Sequence, residues 1–498
     1  MNVVWFKRDL RISDHRALYS AAERGSVLPL YIVEPDYWRQ PDASARHWRF
    51  LRASLDDLNT SLSALGQPLV IRVGNAPDVF RALHADTPIA ALFSHEETGN
   101  GWTYARDRAV GLWASGAGVR WHELPQHGVF RPNRTRKGWA ARWRRRMSEP
   151  LVQVPAALKP PPPVASEALP TAEALGLADD ACPGLQNAGR AAALNTLESF
   201  LTDRGVAYRR AMSSPTAGAR GCSRLSTYLA VGTLSVREVV QATEFRRQTL
   251  APALDPRWSK SLEAFSSRLY WHCHFMQKLE DEPSLEFRNL HPAYDGLRAH
   301  VDASQRLNAW RRGETGIPFV DACMRSLLHS GWINFRMRAM LMSFASYQLW
   351  LDWRQPGEHL ARLFADYEPG IHWSQAQMQS GTTGINAARI YNPVKQGYDQ
   401  DPGAGFVRRW IPELRAVPDA FVQEPWRWPG AGTLLGKAYP APIVDHLAAA
   451  RAARKAIHEV RRGAGYRKAA RDIFERHGSR KRQTSRQGNL FARGDLQP

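Results

Sequence analysis

Cysteine is scarce in this sequence. The 498 residues include four, Cys182, Cys222, Cys273 and Cys323, and no two form a C-x-x-C pair. A disulfide framework and a structural zinc site both need thiols at close, repeated spacing, so neither is expected to organise this chain, and a reducing compartment fits. Long apolar runs are missing too: no stretch of about 18 uninterrupted apolar residues marks a membrane span. The N-terminus runs straight into the strand-like VVWF, without the basic region, apolar run and small-residue cleavage site of a secretory signal. The expectation is a soluble, cytoplasmic protein with no membrane contact. Acidic residues are in deficit, 47 Asp and Glu against 67 Lys and Arg, which leaves a formal charge of +20. The basic residues fall in clusters that solubility alone does not require, so a polyanion is the first partner to consider.

What is present suffices for two packed domains, since a single core stops growing well before this length. Up to Leu124, short β-branched runs alternate with helical patterns, at 3–6, 27–34, 68–73, 90–95 and 119–124. This spacing predicts βαβ crossovers in a doubly wound parallel sheet, with any ligand beyond the carboxyl ends of its strands. No G-x-G-x-x-G follows Phe6, so a Rossmann dinucleotide site is unsupported. The domain reads either as a scaffold or as the holder of a small antenna pigment.

From 191 on, helical periodicity takes over and strand signals become few. The fold class is therefore an N-terminal α/β domain (1–130), a basic and Pro-rich connector (131–190) and a large all-α domain (191–470). A basic tail (471–498) has few large apolar residues and is expected to be disordered. In the connector, Trp139 and Trp143 stand four residues apart among arginines. They either lay one helical face on nucleic acid or, the favoured reading, pack against the globule beneath a solvated face.

Four segments carry more specific information: VVWFKRDLRISDHRAL at 3–18, CSRLSTYLAVGTLSVRE at 222–238, ETGIPFVDACMRSLLHSGWINFRMRAM at 314–340 and ARIYNPVKQG at 388–397. Their order and spacing, with the closing WIPELRAVP and EPW, resemble the photolyase and cryptochrome family of blue-light flavoproteins. The resemblance implies an α/β domain, a helical domain holding FAD in a folded conformation, and chemistry by photoinduced electron transfer. Read as residues alone, Ser223 and Ser226 open an amphipathic helix whose free N–H groups suit a pyrophosphate, although simple capping is the commoner meaning of such a pair. The resemblance decides for the phosphates of FAD.

It further implies FAD contacts from Tyr208, from Cys222, Ser223, Arg224, Leu225 and Ser226, and from Asn334, Arg338, Asp366 and Glu368. Cys222 stands where a threonine is usual, and a thiol is the weaker hydrogen-bond partner. Asn334 and Arg338, four apart, share one helix face. Arg338 matches a family arginine that pairs with an aspartate beside the isoalloxazine ring, here Asp366. A structural ion pair with no electronic role predicts the same geometry.

At the lesion pocket the chain departs from enzymes that act on cyclobutane dimers. Trp271 matches their stacking tryptophan, but Arg268 replaces a glutamate that accepts from the dimer, and Phe335 replaces an asparagine facing flavin and lesion. Met212 and His272 replace arginines, and Phe265 replaces a flavin-side tryptophan; Phe265, Arg268 and His272 are still expected at the cofactor. His372 is the candidate facing flavin N5. Trp373 is the candidate first electron donor, and Trp353 matches the middle tryptophan of the electron-transfer chain, whose surface position is His300. A lone His or Trp in a helical domain is more often core than chemistry. Thr103 and Tyr104 replace an Asn-Glu pair that contacts folate, so a second, antenna chromophore has no identity from sequence.

The leading function implied is a light-dependent lyase. Reduced FAD, excited by blue light, sends an electron into a flipped-out pyrimidine dimer of UV-damaged DNA, with Trp271 and His372 as catalytic residues and Arg268, Trp271 and Phe335 against the lesion. The basic residues would give a salt-dependent hold on the phosphate backbone, and the protein is expected to act as a monomer. The rival is a cryptochrome-like photoreceptor without repair activity, which the altered pocket favours. A nucleic-acid-binding protein with a relic flavin fold fits the charge but not the retained Tyr208, Arg338 and Asp366.

Overall fold

Five short segments, β-branched in β1 to β3, form the strands β1 (Asn2–Phe6), β2 (Val27–Val33), β3 (Val70–Val73), β4 (Ala91–His95) and β5 (Arg120–Leu124). The computed structural model describes residues 1–131, 133, 136–250, 256–298 and 303–478; His300 and the tail beyond Gly478 lie outside them. The strands pair in parallel in the order β3-β2-β1-β4-β5. The helices α1 (Arg16–Ala22), α2 (Ala45–Ala64), α3 (Ala76–Asp86) and α4 (Gly101–Gly116) connect them.

Side chains alternate across a strand, and β1 uses both faces. Val4 and Phe6 pack with Leu18 of α1 and with Leu55 and Leu58 of α2. Val3 and Trp5 pack with Phe80 of α3 and Val110 of α4. This is the doubly wound sheet expected. Its strand order reverses between β1 and β4, so the carboxyl end of β1 is the place where such a sheet presents its ligands.

The connector's helix α5 (Trp139–Ser148) buries Trp139, Trp143 and Met147 and exposes Arg142, Arg144 and Arg145, so the tryptophans pack inward beneath a basic face. Seven helices of the all-α part concern the site: α6 (Ser226–Val231), α7 (Val236–Thr249), α8 (Pro256–Asp281), α9 (Phe335–Ser343), α10 (Pro369–Ser380), α11 (His446–Arg462) and α12 (Tyr466–His477). Helical structure thus runs past the boundary expected at 470, because buried Tyr466 and Ile473 seat α12 on the globule.

The two domains are tied where β1 ends. Arg8 Nε donates to Ala230 O at 2.9 Å, Leu10 N–H to Val231 O at 3.1 Å and Arg11 to Gly232 O at 2.9 Å. Gly232 has φ 75°, and a Cβ there would sit 2.3 Å from Arg8 O, so this close approach admits only glycine.

Candidate functional site

With 26 residues, α8 is about 39 Å long at 1.5 Å per residue and forms one wall of a cavity of about 640 Å³. Residues three or four apart share a helix face, and Phe265, Arg268, Trp271, Phe275 and Lys278 make that stripe. A second wall is α10, which presents His372, Gln375 and Gln379. Gly370 lets α10 lie against α8, since a Cβ there would meet Met276 Cα at 2.6 Å. Phe335, Arg338 and Met342 come from α9, and Tyr208 and Met212 from a short helical segment ahead of α6.

Every residue expected at cofactor or lesion lines this one space: Tyr208, Cys222 to Ser226, Phe265, Arg268, Trp271, His272, Asn334, Phe335, Arg338, Asp366, Glu368 and His372. The volume falls within the range of roughly 300–1,000 Å³ for small-molecule sites. One local expectation needs correction. Ser223 does not open a helix: Arg224 takes a left-handed turn at φ 61°, α6 begins only at Ser226, and Gly232 ends it after six residues. The turn from Cys222 to Leu225, and not a long helix, forms this wall.

The charges are arranged in pairs. Arg338 grips Asp366 with two bonds of 2.9 Å and is itself held by Nε donating to Ile333 O at 2.7 Å. Burial alone would raise the Asp366 carboxyl, but Arg338, helped by Ser226, outweighs it and holds the group below the usual carboxylate range. Glu368 behaves oppositely: burial pushes it up to about 7 even though Arg8 lies 2.9 Å away. Burial pulls His372 down to about 4; its Nε2 must carry the proton, because it donates to Gly357 O at 2.9 Å. The Arg268 guanidinium bonds the Tyr208 hydroxyl.

Trp353 and Trp373 do not reach the cavity. Their rings meet at 5.8 Å, and Trp373 Nε1 donates at 3.0 Å to the Tyr367 hydroxyl, which does line it. His372 touches Trp373 at 4.8 Å between ring centres. A smaller cleft of about 90 Å³ at the carboxyl edge of the sheet shares Tyr367 and Ala230 with the main cavity. Sequence reasoning missed Arg8, Tyr367, Lys278, Phe474 and His477. Lys278 lies two turns on from Trp271 and was open to a periodicity argument, whereas nothing local to α12 points at the cavity.

The lining, mostly apolar with a cation at Arg224, suits a large ligand with an anionic end. Asn334 Oδ1 and Gln379 Oε1 are buried acceptors without a hydrogen-bond partner. Arg224 bonds only neutral Gln186 through its guanidinium, packs over Trp332 at 4.1 Å, and is drawn down to about 10 by burial, as befits a cation awaiting an anion.

The family model of DNA photolyase matches residues 2–151, and that of the FAD binding domain of DNA photolyase matches 265–459. The deoxyribodipyrimidine photo-lyase of Vibrio cholerae serotype O1 is 30% identical over 470 residues, covering 90% of this chain and 97% of its own. The chain belongs to the DNA photolyase and cryptochrome family. Cryptochrome DASH of Gloeobacter violaceus is 29% identical, over 92% of this chain and 95% of its own. Among solved structures, a bacterial class III photolyase from Agrobacterium tumefaciens superposes with a TM-score of 0.81 at 28% identity, covering 93% of this chain and 98% of its own. In this photolyase-family chain the helical part is thus an FAD-binding domain, and no described helix is long and apolar enough to cross a membrane.

Proposed function

We propose that this family member is a light-driven DNA repair enzyme, acting as a monomer on pyrimidine dimers in UV-damaged DNA. One observation carries the reading: the side chains suited to FAD and the flat face of Trp271 line a single continuous cavity, so a base entering it meets the cofactor without an intervening wall. When bound, reduced FAD would supply, on light excitation, the electron that opens the dimer. The protein's own part is placement. Tyr208, Arg224, Asn334 and Gln379 would hold the cofactor by its polar groups, and the turn from Cys222 to Ser226 would receive its phosphates. Arg338 and Asp366 keep a fixed charge pair beside it, and the Trp271 ring, backed by Phe275 at 5.5 Å, gives a displaced base a surface to stack on. Trp373 and Trp353, reached through Tyr367 or His372, form the route by which the flavin site is recharged with electrons.

A photoreceptor without repair is the second reading. It is supported by Arg268, a donor beside Tyr208 where a dimer-repairing pocket offers an acceptor, and by Phe335 at the lesion side. The test is repair of DNA bearing one defined lesion, cyclobutane or (6-4), by FAD-loaded, reduced protein in blue light and in darkness. Light-dependent restoration of either lesion supports the enzyme. Failure on both, with reduced flavin present, leaves the photoreceptor.

A further inference from the structure

Helix α12 begins at Tyr466, beyond the match to the FAD-binding family model, which ends at 459. It is nevertheless firmly seated. Tyr466 stacks on His291 with ring centres 4.2 Å apart and shares a 2.9 Å hydroxyl bond with Tyr294, and Arg476 pairs with Glu282 at 3.0 Å. Seated there, it turns Phe474 and His477 into the wall of the main cavity, on the side where α8 presents Phe275 and Lys278.

Three features of this corner call for a ligand. Lys278 is 8% exposed, lines the cavity, and has its ammonium 5.2 Å from the Phe275 ring, with no carboxylate in ion-pair range among the described residues. The nearby acids are already engaged, Asp281 by Arg136 at 3.0 Å and Glu282 by Arg476, so the charge on Lys278 is left over. His477 is 2% exposed, and neither ring nitrogen has a hydrogen-bond partner among the described residues; the Glu282 oxygen is 4.0 Å from Nε2. Burial, and then the charges of Lys278 and Arg136, pull His477 down to about 3, so a neutral ring with one N–H faces the same space. A buried cation and a buried unpartnered donor are costly unless an acceptor arrives, and an anion satisfies both. The third feature is apolar. Of the exposed large hydrophobic side chains, Phe335 at 46% and Phe474 at 51% are the two that line the cavity, so aromatic rings stand at its mouth.

We propose that α12 is a wall of the substrate site, in which Lys278 and His477 bind a DNA backbone phosphate beside the displaced base and Phe474 fills the gap left in the stack. The inference rests on the DNA reading above and deepens it. A base that leaves the duplex exposes its neighbours' faces to an apolar wedge and draws its own phosphates inward. An aromatic ring at the mouth with a cation deeper in matches that pattern of charge and apolar surface.

The test is binding in darkness, which needs no photochemistry: FAD-loaded protein is titrated with a fluorescent duplex carrying one thymine dimer, at several salt concentrations. Lys278→Met should weaken binding about tenfold, the loss of one charge-assisted bond, and reduce the salt slope by about 1. Phe474→Ala, an exposed site that tolerates truncation, should weaken binding about tenfold with the salt slope unchanged, and Phe474→Trp should restore it. Parental affinity and slope in both variants would overturn the proposal. So would tighter binding by Phe474→Ala, which would make α12 a lid that competes with DNA, and so would a parent that does not bind the duplex. A parent that binds but never repairs, with both variants weakened, defeats the enzyme reading and leaves this one standing. Repair with unchanged variants does the reverse.

Discussion

Replacing Asp366 by Asn tests whether the Arg338–Asp366 pair is structural, cofactor-directed, or both. The change keeps the side-chain volume and removes the charge. Arg338 cannot swing away easily, because its Nε bonds Ile333 O at 2.7 Å and its guanidinium lies 4.1 Å from the centre of the Phe364 ring. One Asn oxygen can still accept, but the amide N–H₂ then faces the other guanidinium N–H, donor against donor. Breaking a buried pair from one side costs about 3–5 kcal/mol, and since the Arg338 side chain retains 21% exposure the lower end, about 3 kcal/mol, is expected.

The measurement is the denaturant midpoint of apoprotein at neutral pH, with the slope unchanged. The folded value of Asp366 is depressed, so its stabilisation is present above the ordinary carboxylate value of 3.8 and is lost as pH falls through the folded value. Parent and variant should therefore converge in acid. If the pair also serves the cofactor, the FAD-loaded protein loses a further increment, about 1.4 kcal/mol for each tenfold drop in FAD affinity. An apoprotein difference below about 1 kcal/mol, or one that does not shrink in acid, would refute the reasoning.

Lys278→Met should make the fold more stable while making DNA binding worse. Burial places Lys278 near 8 in the fold against an ordinary 10.5, so between those values the unfolded chain holds a proton that the fold has shed, and stability rises with pH; below about pH 8 the full penalty, at most about 3 kcal/mol, applies. Thermal midpoints at pH 7 should favour the variant, with the gap closing above about pH 10. Gly370→Ala should cost about 1–3 kcal/mol, because its Cβ collides with the Met276 backbone, and should lower FAD content as α10 is pushed off α8; absorbance of the purified protein reads both soluble yield and flavin stoichiometry. Trp353→Phe should slow light-driven reduction of the bound flavin without altering dark repair-substrate affinity, as flash spectroscopy and a binding titration would show.

Strands β1, β2 and β4 were legible as continuous runs because they are buried on both faces, with Val3, Val4, Trp5 and Phe6 the clearest case, whereas the edge strand β5 is partly exposed. The cavity's α8 stripe was legible too, since Phe265, Arg268, Trp271 and His272 repeat at helical spacing. What escaped sequence reading has tertiary causes. The break at Arg224 looks like helix to any propensity argument, and only the chain's return past β1 at Gly232 forces the short α6. Trp373 adjoins His372 in sequence, but one residue is about 100° of rotation on a helix, which carries it out of the cavity to Trp353. Arg8 carries no local sign of a role, because its partner Glu368 lies on the other domain.

Among the described residues, Tyr367 and Ala230 line both the sheet-edge cleft and the flavin cavity. The Tyr367 hydroxyl donates to Asp42 at 2.6 Å while receiving Trp373 Nε1 at 3.0 Å, and its ring lies parallel to His47. With two hydrogen bonds on its hydroxyl and His47 against its face, the ring does not swing, and it stands between the two compartments with Ala230 and the Arg8–Glu368 pair beside it. Charge arising on the sheet side would meet that ring on the way to the main cavity.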